Sequence, residues 1–538
     1  VNSTSRNIGV GSFASNLALV VICFLAFNLA FAAKPLTSNV FIDKALVDFP
    51  NVENADQTVF QLFSHGRSGE LFLDGEWKNA EQIASFVKAR ISNSSSKVKT
   101  LNIYGCEFAK DQKGIDAVNY LQATLNINIA ASNNITGQDG DWTLEMGESK
   151  SIIKVLNFKG NLQTTVYVNA AATGTNNGSS WTNGYKTLDA ALKANLNTAN
   201  LLVKVAAGTY NEPSNAQATL KGANVSIIGG FDIVSGISSP STTPSILNYS
   251  ATTTAGGTSQ SVGIINYAGT GGSFLMEGLT VQNLNQAALG GGVPTSSNFR
   301  GTSFYINNTN TTSPQLFRNL TLSNNTKVTD LFQIGNPWPL GSPTSTSSVT
   351  FDNVTAIGNS TSMGVLNYVG TGDLTVLNSE FCTNSSSGNF AGGIYYQSLT
   401  GGLLVNNTLF QKNTLSNGTN LHAGAILICN EYSNNMNASI SITNSSFIAN
   451  TDAAGSTGVN CAGAIYVSNF LTQGSVLIDN NQFINNQGPY TGALKYTSSV
   501  NGIVSNNTFN GNKGTGTYGV SGAIGGSGSL TVSNNTFA

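Results

Sequence analysis

The sequence predicts two regions of different fold class: an α/β domain over residues 33–163 and an all-β parallel solenoid over residues 164–538. In the first region, apolar strands alternate with segments whose apolar residues recur at helical spacing, which indicates a parallel sheet covered by helices. In the second region, short apolar runs are separated by Asn, Gly, Ser and Thr. Two short motifs alternate there at intervals of roughly 26–37 residues, which is typical of solenoids.

An apolar run near the N-terminus predicts export. Leu17–Phe31 is interrupted only by Asn28 and ends at Ala30-Phe31-Ala32, a pattern that signal peptidase accepts. The run is shorter than the roughly 20 residues that a membrane-spanning helix needs. We therefore expect residues 1–32 to be the signal peptide of a secreted or cell-surface protein. An uncleaved N-terminal anchor is the alternative.

The elements of the α/β region follow from the spacing of its apolar residues. Ile83, Phe86, Val87 and Ile91 lie at helical spacing, whereas Val98–Tyr104 alternates like a strand. The predicted elements are, in order, strands Val59–Phe63 and Leu71–Leu73, helix Asn79–Ile91, strand Val98–Tyr104, helix Ile115–Leu125 and strand Ile127–Ala131.

One pair of residues in this region suggests chemistry. His65 directly follows the first of these strands, and Cys106 directly follows a later one. If the two strands are neighbours in a parallel sheet, both side chains emerge at the same edge, where the imidazole could hold the thiol as a thiolate nucleophile. The backbone amides of Gly66 and Cys106 could then stabilise an oxyanion. The alternative is structural, with a small buried thiol and a His-Gly turn.

The pair resembles the dyad of the caspase–haemoglobinase superfamily of cysteine peptidases. More closely, residues 58–145 resemble DUF4347, an uncharacterised domain near the N-termini of very large bacterial surface proteins. That resemblance rests on four motifs in order: Ser64-His65-Gly66, Tyr104-Gly105-Cys106, Ala131–Gly137 and Gly140–Glu145. It implies a caspase-like fold, with His65 and Cys106 as the dyad. The acidic residue that usually follows His-Gly is absent, so the resemblance implies no substrate preference.

The solenoid prediction depends on two alternating motifs. A Phe-x-x-Asn motif begins at Phe381, Phe410, Phe447, Phe483 and Phe509, and a Gly-Ile or Gly-Ala-Ile/Leu motif lies between successive copies. Stacked coils would place one file of Phe and one file of Ile or Leu in the core, with Asn side chains bonded from coil to coil. Glycine would let the backbone bend at the corners. The alternative is an array of antiparallel β-sandwiches, whose repeats are much longer, at about 100 residues.

These repeats resemble those of polymorphic outer-membrane proteins, surface adhesins and autotransporter passengers. Tyr167–Glu212 further resembles the first coil and capping helix of secreted right-handed parallel β-helix proteins, with the helix at Thr187–Ala194. The resemblance implies a right-handed, pectate-lyase-like solenoid. Because the last repeat stops just after Phe537, we expect the solenoid to continue in a longer chain.

Charge and composition narrow the function. Charged residues make up 9% of the chain and the net charge is −2, which argues against a nucleic-acid-binding surface. The acids of the solenoid are scattered singly, although Asp352 and Asp373 could share a face, so cleavage of polysaccharides there is only a third hypothesis. His422 is expected at a solenoid corner with no carboxylate nearby, and we interpret it as structural. Cys382, Cys429 and Cys461 show no metal-ligand spacing, and pairing between two of them stays open.

We expect an adhesin-like or structural protein whose solenoid is a stalk or a ligand-binding surface made of polar and aromatic strips. The partners would be host or matrix glycans or surface proteins, and a membrane would be involved only through an anchor further along the chain. The sequence predicts no cofactor and no metal. The alternative is a cysteine peptidase-like hydrolase that uses His65 and Cys106.

Overall fold

The computed structural model divides the chain into two compact units, Val1–Leu162 and Gln163–Ala538. The structure describes residues 39–43, 56, 58–74, 76–92, 98–134, 136, 142–147, 164–198, 200–213, 218–249, 264–268, 272–285, 302–307, 313–326, 328–335, 347–388, 390–416, 421–429, 436–453, 461–516 and 520–538. The signal peptide expected at residues 1–32 lies outside these ranges. None of the described helices is long and apolar enough to cross a membrane.

The described residues of the first unit form a parallel sheet, an antiparallel meander and two helices. Its elements are β1 (Val40–Ile42), β2 (Val59–Phe63), β3 (Gly66–Arg67), β4 (Glu70–Leu73), β5 (Glu76–Lys78), α1 (Ala80–Ile91), β6 (Thr100–Tyr104), α2 (Gln112–Leu125) and β7 (Asn128–Ala131). The four-stranded sheet has the order β1-β2-β6-β7 and is parallel throughout, while β3, β4 and β5 form an antiparallel meander. The strands and helices predicted from apolar spacing are confirmed to within three residues at each end.

The ends of both helices follow from their sequence. Asn79 accepts a hydrogen bond from the backbone N–H of Gln82, whose side chain accepts one in return from the Asn79 N–H, so α1 begins with a capping box. Asp111 caps α2 through the N–H of Gly114. Helix α2 ends at Asn126, which adopts the left-handed conformation that Asn tolerates better than most residues. Both helices bury their apolar faces in the core of this unit.

In its described residues, the second unit is a parallel β-solenoid with one short helix. Its elements begin with β8 (Thr164–Val168), α3 (Leu188–Ala194), β9 (Leu201–Ala206), β10 (Gly208–Asn211), β11 (Ala218–Leu220), β12 (Val225–Phe231), β13 (Ser245–Asn248), β14 (Ile265–Tyr267), β15 (Phe274–Glu277), β16 (Leu279–Gln282), β17 (Phe304–Ile306), β18 (Gln315–Ser323), β19 (Val328–Gly335), β20 (Val349–Ile357), β21 (Ser360–Gly370), β22 (Leu374–Leu377) and β23 (Glu380–Cys382).

The solenoid continues with shorter strands. These are β24 (Ser385–Ser386), β25 (Phe390–Ala391), β26 (Ile394–Ser398), β27 (Leu403–Asn406), β28 (Leu409–Gln411), β29 (Thr414–Leu415), β30 (His422–Ala423), β31 (Ile426–Ile428), β32 (Met436–Thr443), β33 (Ser446–Ile448), β34 (Thr451–Asp452), β35 (Cys461–Ala462), β36 (Ile465–Val467), β37 (Leu471–Asp479), β38 (Gln482–Ile484), β39 (Gln487–Gly488), β40 (Leu494–Tyr496), β41 (Gly502–Ser505), β42 (Thr508–Asn510), β43 (Lys513–Gly514), β44 (Ile524–Gly525), β45 (Leu530–Ser533) and β46 (Thr536–Phe537).

Each solenoid strand pairs in parallel with the equivalent strand of the next coil. The strands make a 21-stranded sheet, a 15-stranded sheet and the three-stranded sheet β25-β30-β35. Like residues lie opposite like residues, as in the register Phe410↔Phe447 and Phe447↔Phe483. Parallel pairing between coils excludes the alternative of antiparallel sandwiches.

The predicted file of phenylalanines is confirmed. Neighbouring rings from Phe381 to Phe537 stack with centroids 4.7–5.1 Å apart and planes within 9° of parallel. A second inward file pairs Leu366 with Ile394 and continues through Ile426 and Ile465 to Leu494. The two files belong to one continuous buried core. Because each ring covers the next, a coil buries its apolar face only when its neighbours are present.

An asparagine ladder runs beside the rings. Each Asn side chain except the last donates to the carboxamide oxygen of the Asn in the next coil, at 2.9–3.0 Å. Every one of them also donates to a backbone carbonyl. The ladder consists of Asn325, Asn359, Asn384, Asn413, Asn450, Asn486 and Asn512. These bonds satisfy polar groups that the core would otherwise leave without partners, so the solenoid needs few charges.

Close contact between coils requires glycine at one corner. A Cβ on Gly424 would lie 2.1 Å from the carbonyl oxygen of Gly463, and a Cβ on Gly463 would lie 2.1 Å from that of Gly492. Both contacts are with backbone atoms, which cannot rotate away. Glycine is therefore required there by the spacing between coils as well as by the bend.

The predicted helix near the start of the solenoid is confirmed as α3. Thr187 caps it through the N–H of Ala190. The carboxylate of Glu212 accepts from the N–H groups of Leu188 and Asp189 at 2.7 and 3.0 Å. Burial nevertheless raises the pKa of Glu212 to about 7. Helix α3 contributes buried residues to the first coils of the core.

Candidate functional site

The structure brings the His65 and Cys106 segments together. Strands β2 and β6 are parallel neighbours in the register Phe63↔Tyr104, and the N–H of Ser64 donates to the carbonyl of Tyr104 at 3.1 Å. His65 and Cys106 therefore leave the same edge of the sheet on adjacent strands. A Cβ on Gly66 would lie 2.7 Å from the carbonyl oxygen of Cys106, so the two backbones touch at this point.

Cys106 is held as a neutral thiol. Its side chain is 1% exposed, and Sγ lies 3.6 Å from the carbonyl oxygen of Thr136 and 3.3 Å from the Thr136 nitrogen. Burial raises the pKa of the thiol to about 12, although the hydrogen bonds with Thr136 lower it, and the nearby Glu107 carboxylate adds to the effect of burial. At neutral pH the nucleophilic thiolate is therefore a minor form. Catalysis by His65 and Cys106 remains a prediction.

His65 lies in the same closed environment. It is 4% exposed, its ring centroid lies 6.5 Å from that of Phe72, and its carbonyl accepts from the Phe72 N–H at 2.9 Å. The antiparallel meander of β3 and β4 thus covers the strand end that carries His65. Both side chains are therefore nearly inaccessible to solvent in this structure.

A second group of reactive side chains lies in the solenoid. His422, Asp452 and Cys461 are all buried, and each offers one donor atom within 4.8 Å of the other two. The Nδ1 atom of His422 lies 2.5 Å from Oδ2 of Asp452. The sequence-based interpretation that His422 has no carboxylate nearby is wrong, because the coil that follows brings Asp452 against it. We call these three residues the coil-corner triad.

The triad borders a satellite cluster, a small apolar core outside the main one. Side chains alternate along a strand, so Ile394, Ile426 and Ile465 face the main core while the residues after them face the satellite cluster. The satellite cluster consists of Met363, Val369, Phe390, Ala391, Tyr395, Leu421, Ala423, Leu427, Cys429, Ala462 and Tyr466, with Phe470 at its margin.

Lys495 is the cationic neighbour of the triad. It occupies the register position after Tyr466, and its Nζ lies 4.1 Å from the ring centroid of Tyr490 and 5.1 Å from that of Tyr466. Burial lowers the pKa of Lys495 to about 8, an effect that the nearby Cys461 partly offsets. Burial raises the pKa of Cys461 to about 12, and the Asp452 carboxylate adds to it. The site therefore brings together a carboxylic acid, an imidazole, a thiol and an amine that are all buried from solvent.

A signal for the triad was present in the repeats. His422 and Cys461 occupy the same position of two successive copies, each directly before Ala-Gly-Ala-Ile. Asp452 stands two residues after the Asn of its Phe-x-x-Asn motif. Aligning the repeats would have placed a carboxylate and a thiol on the coil that stacks against His422.

The surface corrects one further expectation. In the described residues of the solenoid, most aromatic side chains fill the core and do not form exposed strips. In the described part of the solenoid, the exposed large hydrophobic residues are aliphatic except for Phe537. No disulfide joins Cys106, Cys382, Cys429 and Cys461, the four cysteines that the structure describes.

Comparison with known proteins identifies one domain. Residues 42–165 match the family described as a domain of unknown function, DUF4347. This confirms the domain to which the four N-terminal motifs pointed, and it assigns no activity. No curated protein matches the chain.

Proposed function

We propose that this chain, a DUF4347 domain followed by a parallel solenoid, is an exported surface protein whose solenoid is a stalk or a ligand-binding surface. The solenoid would be a right-handed β-helix of the polymorphic outer-membrane protein type, and residues 1–32 its export signal. The observation that carries the proposal is the unbroken stack of rings from Phe381 to Phe537. Such a stack makes an elongated, repetitive surface whose length grows with each coil.

The carboxylates of the solenoid support a structural role over polysaccharide cleavage. Asp352 accepts from the side chain of Asn378 at 2.8 Å, and Asp373 accepts from the N–H of Gly402 at 2.7 Å. Asp479 accepts from Ser505 and Asn506 at 2.6 and 2.7 Å. Each acid is thus bonded to the next coil. A glycosidase instead needs two acids facing one bond.

The binding surface would lie on the outer face of the 21-stranded sheet. Leu404, Ser441, Leu477, Ile503 and Thr531 occupy one file, one residue per coil. Leu404 and Ile503 are exposed. A row of aliphatic and hydroxyl side chains suits a polypeptide partner, while glycans would be bound mainly through hydrogen bonds.

A binding screen tests this proposal. The full chain is presented to matrix proteins, cell-surface proteins and a glycan array, and saturable binding to at least one of them is expected. Leu404→Asp with Ile503→Asp should weaken that binding, whereas Ile237→Asp, exposed elsewhere on the solenoid, should not. Failure to bind any of these partners, or release of oligosaccharides from a polymer, would contradict the proposal.

The second candidate function is a cysteine peptidase-like hydrolase with a caspase-like N-terminal domain. The placement of His65 and Cys106 at adjacent ends of parallel strands favours it. Its test is alkylation of the full chain by iodoacetamide across pH, with the modified cysteine located by mass spectrometry. Labelling of Cys106 below pH 7 that His65→Ala slows would support a dyad. An ordinary or slower thiol profile, unchanged in His65→Ala, would exclude it.

A further inference from the structure

We propose that the coil-corner triad of His422, Asp452 and Cys461 binds one divalent transition-metal ion of the zinc class. Nothing in the solenoid repeat requires these residues, because the equivalent positions of other coils are filled by different side chains. The file of Asp452 contains Leu415 and Gly488, and that of His422 and Cys461 contains Phe390. Elsewhere in the solenoid, equivalent positions of successive coils carry similar residues. At this corner they carry three side chains of the kinds that bind metals.

The geometry places the donors across two consecutive coils. His422 pairs with Cys461 in the three-stranded sheet β25-β30-β35, so their side chains lie one above the other. Asp452 lies on the same coil as Cys461 and reaches back to His422. In a tetrahedral site with metal–ligand bonds of about 2.0–2.3 Å, the ligand atoms lie roughly 3.3–3.7 Å apart. The three donor atoms lie within 4.8 Å of one another, so small side-chain movements, including separation of His422 Nδ1 from Asp452 Oδ2, would seat the ion.

The kinds of donor indicate the class of metal. Thiolate and imidazole favour zinc and its neighbours over magnesium or calcium, which prefer sites made of oxygen. Three protein ligands leave one position of a tetrahedral ion for water or a further ligand. All three residues are at most 2% exposed, so bulk water has little access to an ion bound between them.

Metal binding would replace protons. One proton lies between Nδ1 of His422 and Oδ2 of Asp452, and the Cys461 thiol carries another. The incoming cation would displace both protons: the thiol proton would go to solvent, and the proton shared by the imidazole and the carboxylate would move to Nε2 or to solvent. This frees the lone pairs on sulfur, nitrogen and oxygen for the metal. No oxidation or reduction is involved. The bound ion would join two coils through side chains, in addition to their backbone ladder.

The rival explanation is a polar cluster that holds no metal, with Lys495 as the counter-charge for a Cys461 thiolate. The two explanations differ in what Lys495→Met does. If a metal binds, removing a neighbouring positive charge should strengthen binding severalfold. If the amine is the partner that the cluster needs, the variant should bind no metal and lose local order.

Cobalt titration of the full chain is the direct test. The protein is purified with a reductant, stripped with a chelator and titrated with Co²⁺, then with Zn²⁺. We expect about one Co²⁺ per chain, with a thiolate-to-cobalt charge-transfer band and the intense visible bands of a tetrahedral ion, both abolished by Zn²⁺. Cys461→Ser should remove the charge-transfer band and weaken binding by more than about 100-fold, the upper range for losing a mere supporting residue.

Matched variants separate this site from the rest of the chain. Cys429→Ser lies in the satellite cluster but outside the triad, and should bind Co²⁺ like the wild type. The double variant His65→Gln, Cys106→Ser removes the other histidine and its neighbouring cysteine, and should also bind normally. X-ray absorption of the zinc-loaded wild type should show one sulfur ligand, a result that does not depend on whether any variant folds. Binding of fewer than about 0.1 Co²⁺ per chain, or a charge-transfer band that persists in Cys461→Ser, would overturn the proposal.

Discussion

Replacing one rung of the asparagine ladder, Asn450→Ala, should open the solenoid locally. The Asn450 side chain is fully buried and makes four hydrogen bonds. Nδ2 donates to the carbonyl of Phe410 at 2.8 Å and to Oδ1 of Asn486 at 3.0 Å. Oδ1 accepts from the backbone N–H and the Nδ2 of Asn413 at 3.1 and 2.9 Å.

The magnitude follows from the groups that lose a partner. Alanine leaves two donors of Asn413 and the carbonyl of Phe410 buried without these bonds. An unsatisfied buried polar group costs about 1–3 kcal/mol. Partial relaxation and entry of water reduce the sum, so we expect a loss of about 3–6 kcal/mol in the free energy of local opening.

The suitable assay is hydrogen exchange followed by mass spectrometry. Repeat proteins open segment by segment, so a single melting temperature would average the stabilities of different coils. A loss of 3 kcal/mol corresponds to roughly a 100-fold fall in protection, since about 1.4 kcal/mol is a factor of ten. The fall should be confined to the coils that contain Phe410, Asn450 and Asn486. Asn501→Ala, which removes only exposed hydrogen bonds with Ser529 and Thr531, is the control and should change protection by less than about threefold. Equal protection in the two variants would refute the ladder as a source of stability.

Two other changes test the same structure. Gly463→Ala places a Cβ 2.1 Å from the Gly492 carbonyl oxygen, so we expect a loss of about 1–3 kcal/mol or more and rapid proteolysis at that coil. Gly402→Ala, whose nearest contact would be 3.2 Å, should be much milder, and equal proteolysis of both would contradict the argument. Burial raises the pKa of Asp330 to about 7. The folded state therefore binds this proton more tightly than the unfolded state does. The free energy of unfolding should fall as pH rises from roughly 4 to 7, by at most about 4 kcal/mol. Asp330→Asn should reduce that dependence in denaturant titrations at pH 4.5 and 8, while the part due to Glu212 remains. Parallel profiles of the two proteins would show that Asp330 is not a source of it.

Much of the fold could be predicted because it depends on local or repeated patterns. The α/β elements follow from apolar spacing over a single strand or helix, and capping residues such as Asn79 and Asp111 mark where helices begin. In the solenoid, each Phe-x-x-Asn motif stacks on the next copy of itself. Repetition in sequence therefore specifies contact in space, including the ring stack and the asparagine ladder.

The chemical environment of the candidate sites depended on tertiary structure. Whether Cys106 is a thiol or a thiolate is decided by burial and by contact with Thr136, 30 residues away in sequence. The coil-corner triad likewise joins residues from two coils whose connecting segments differ in length. Apolar spacing determines which face of a strand is buried, and it does so within a few residues. The partner of a buried polar group depends on which coils and loops close over it, so only the folded chain places Asp452 against His422.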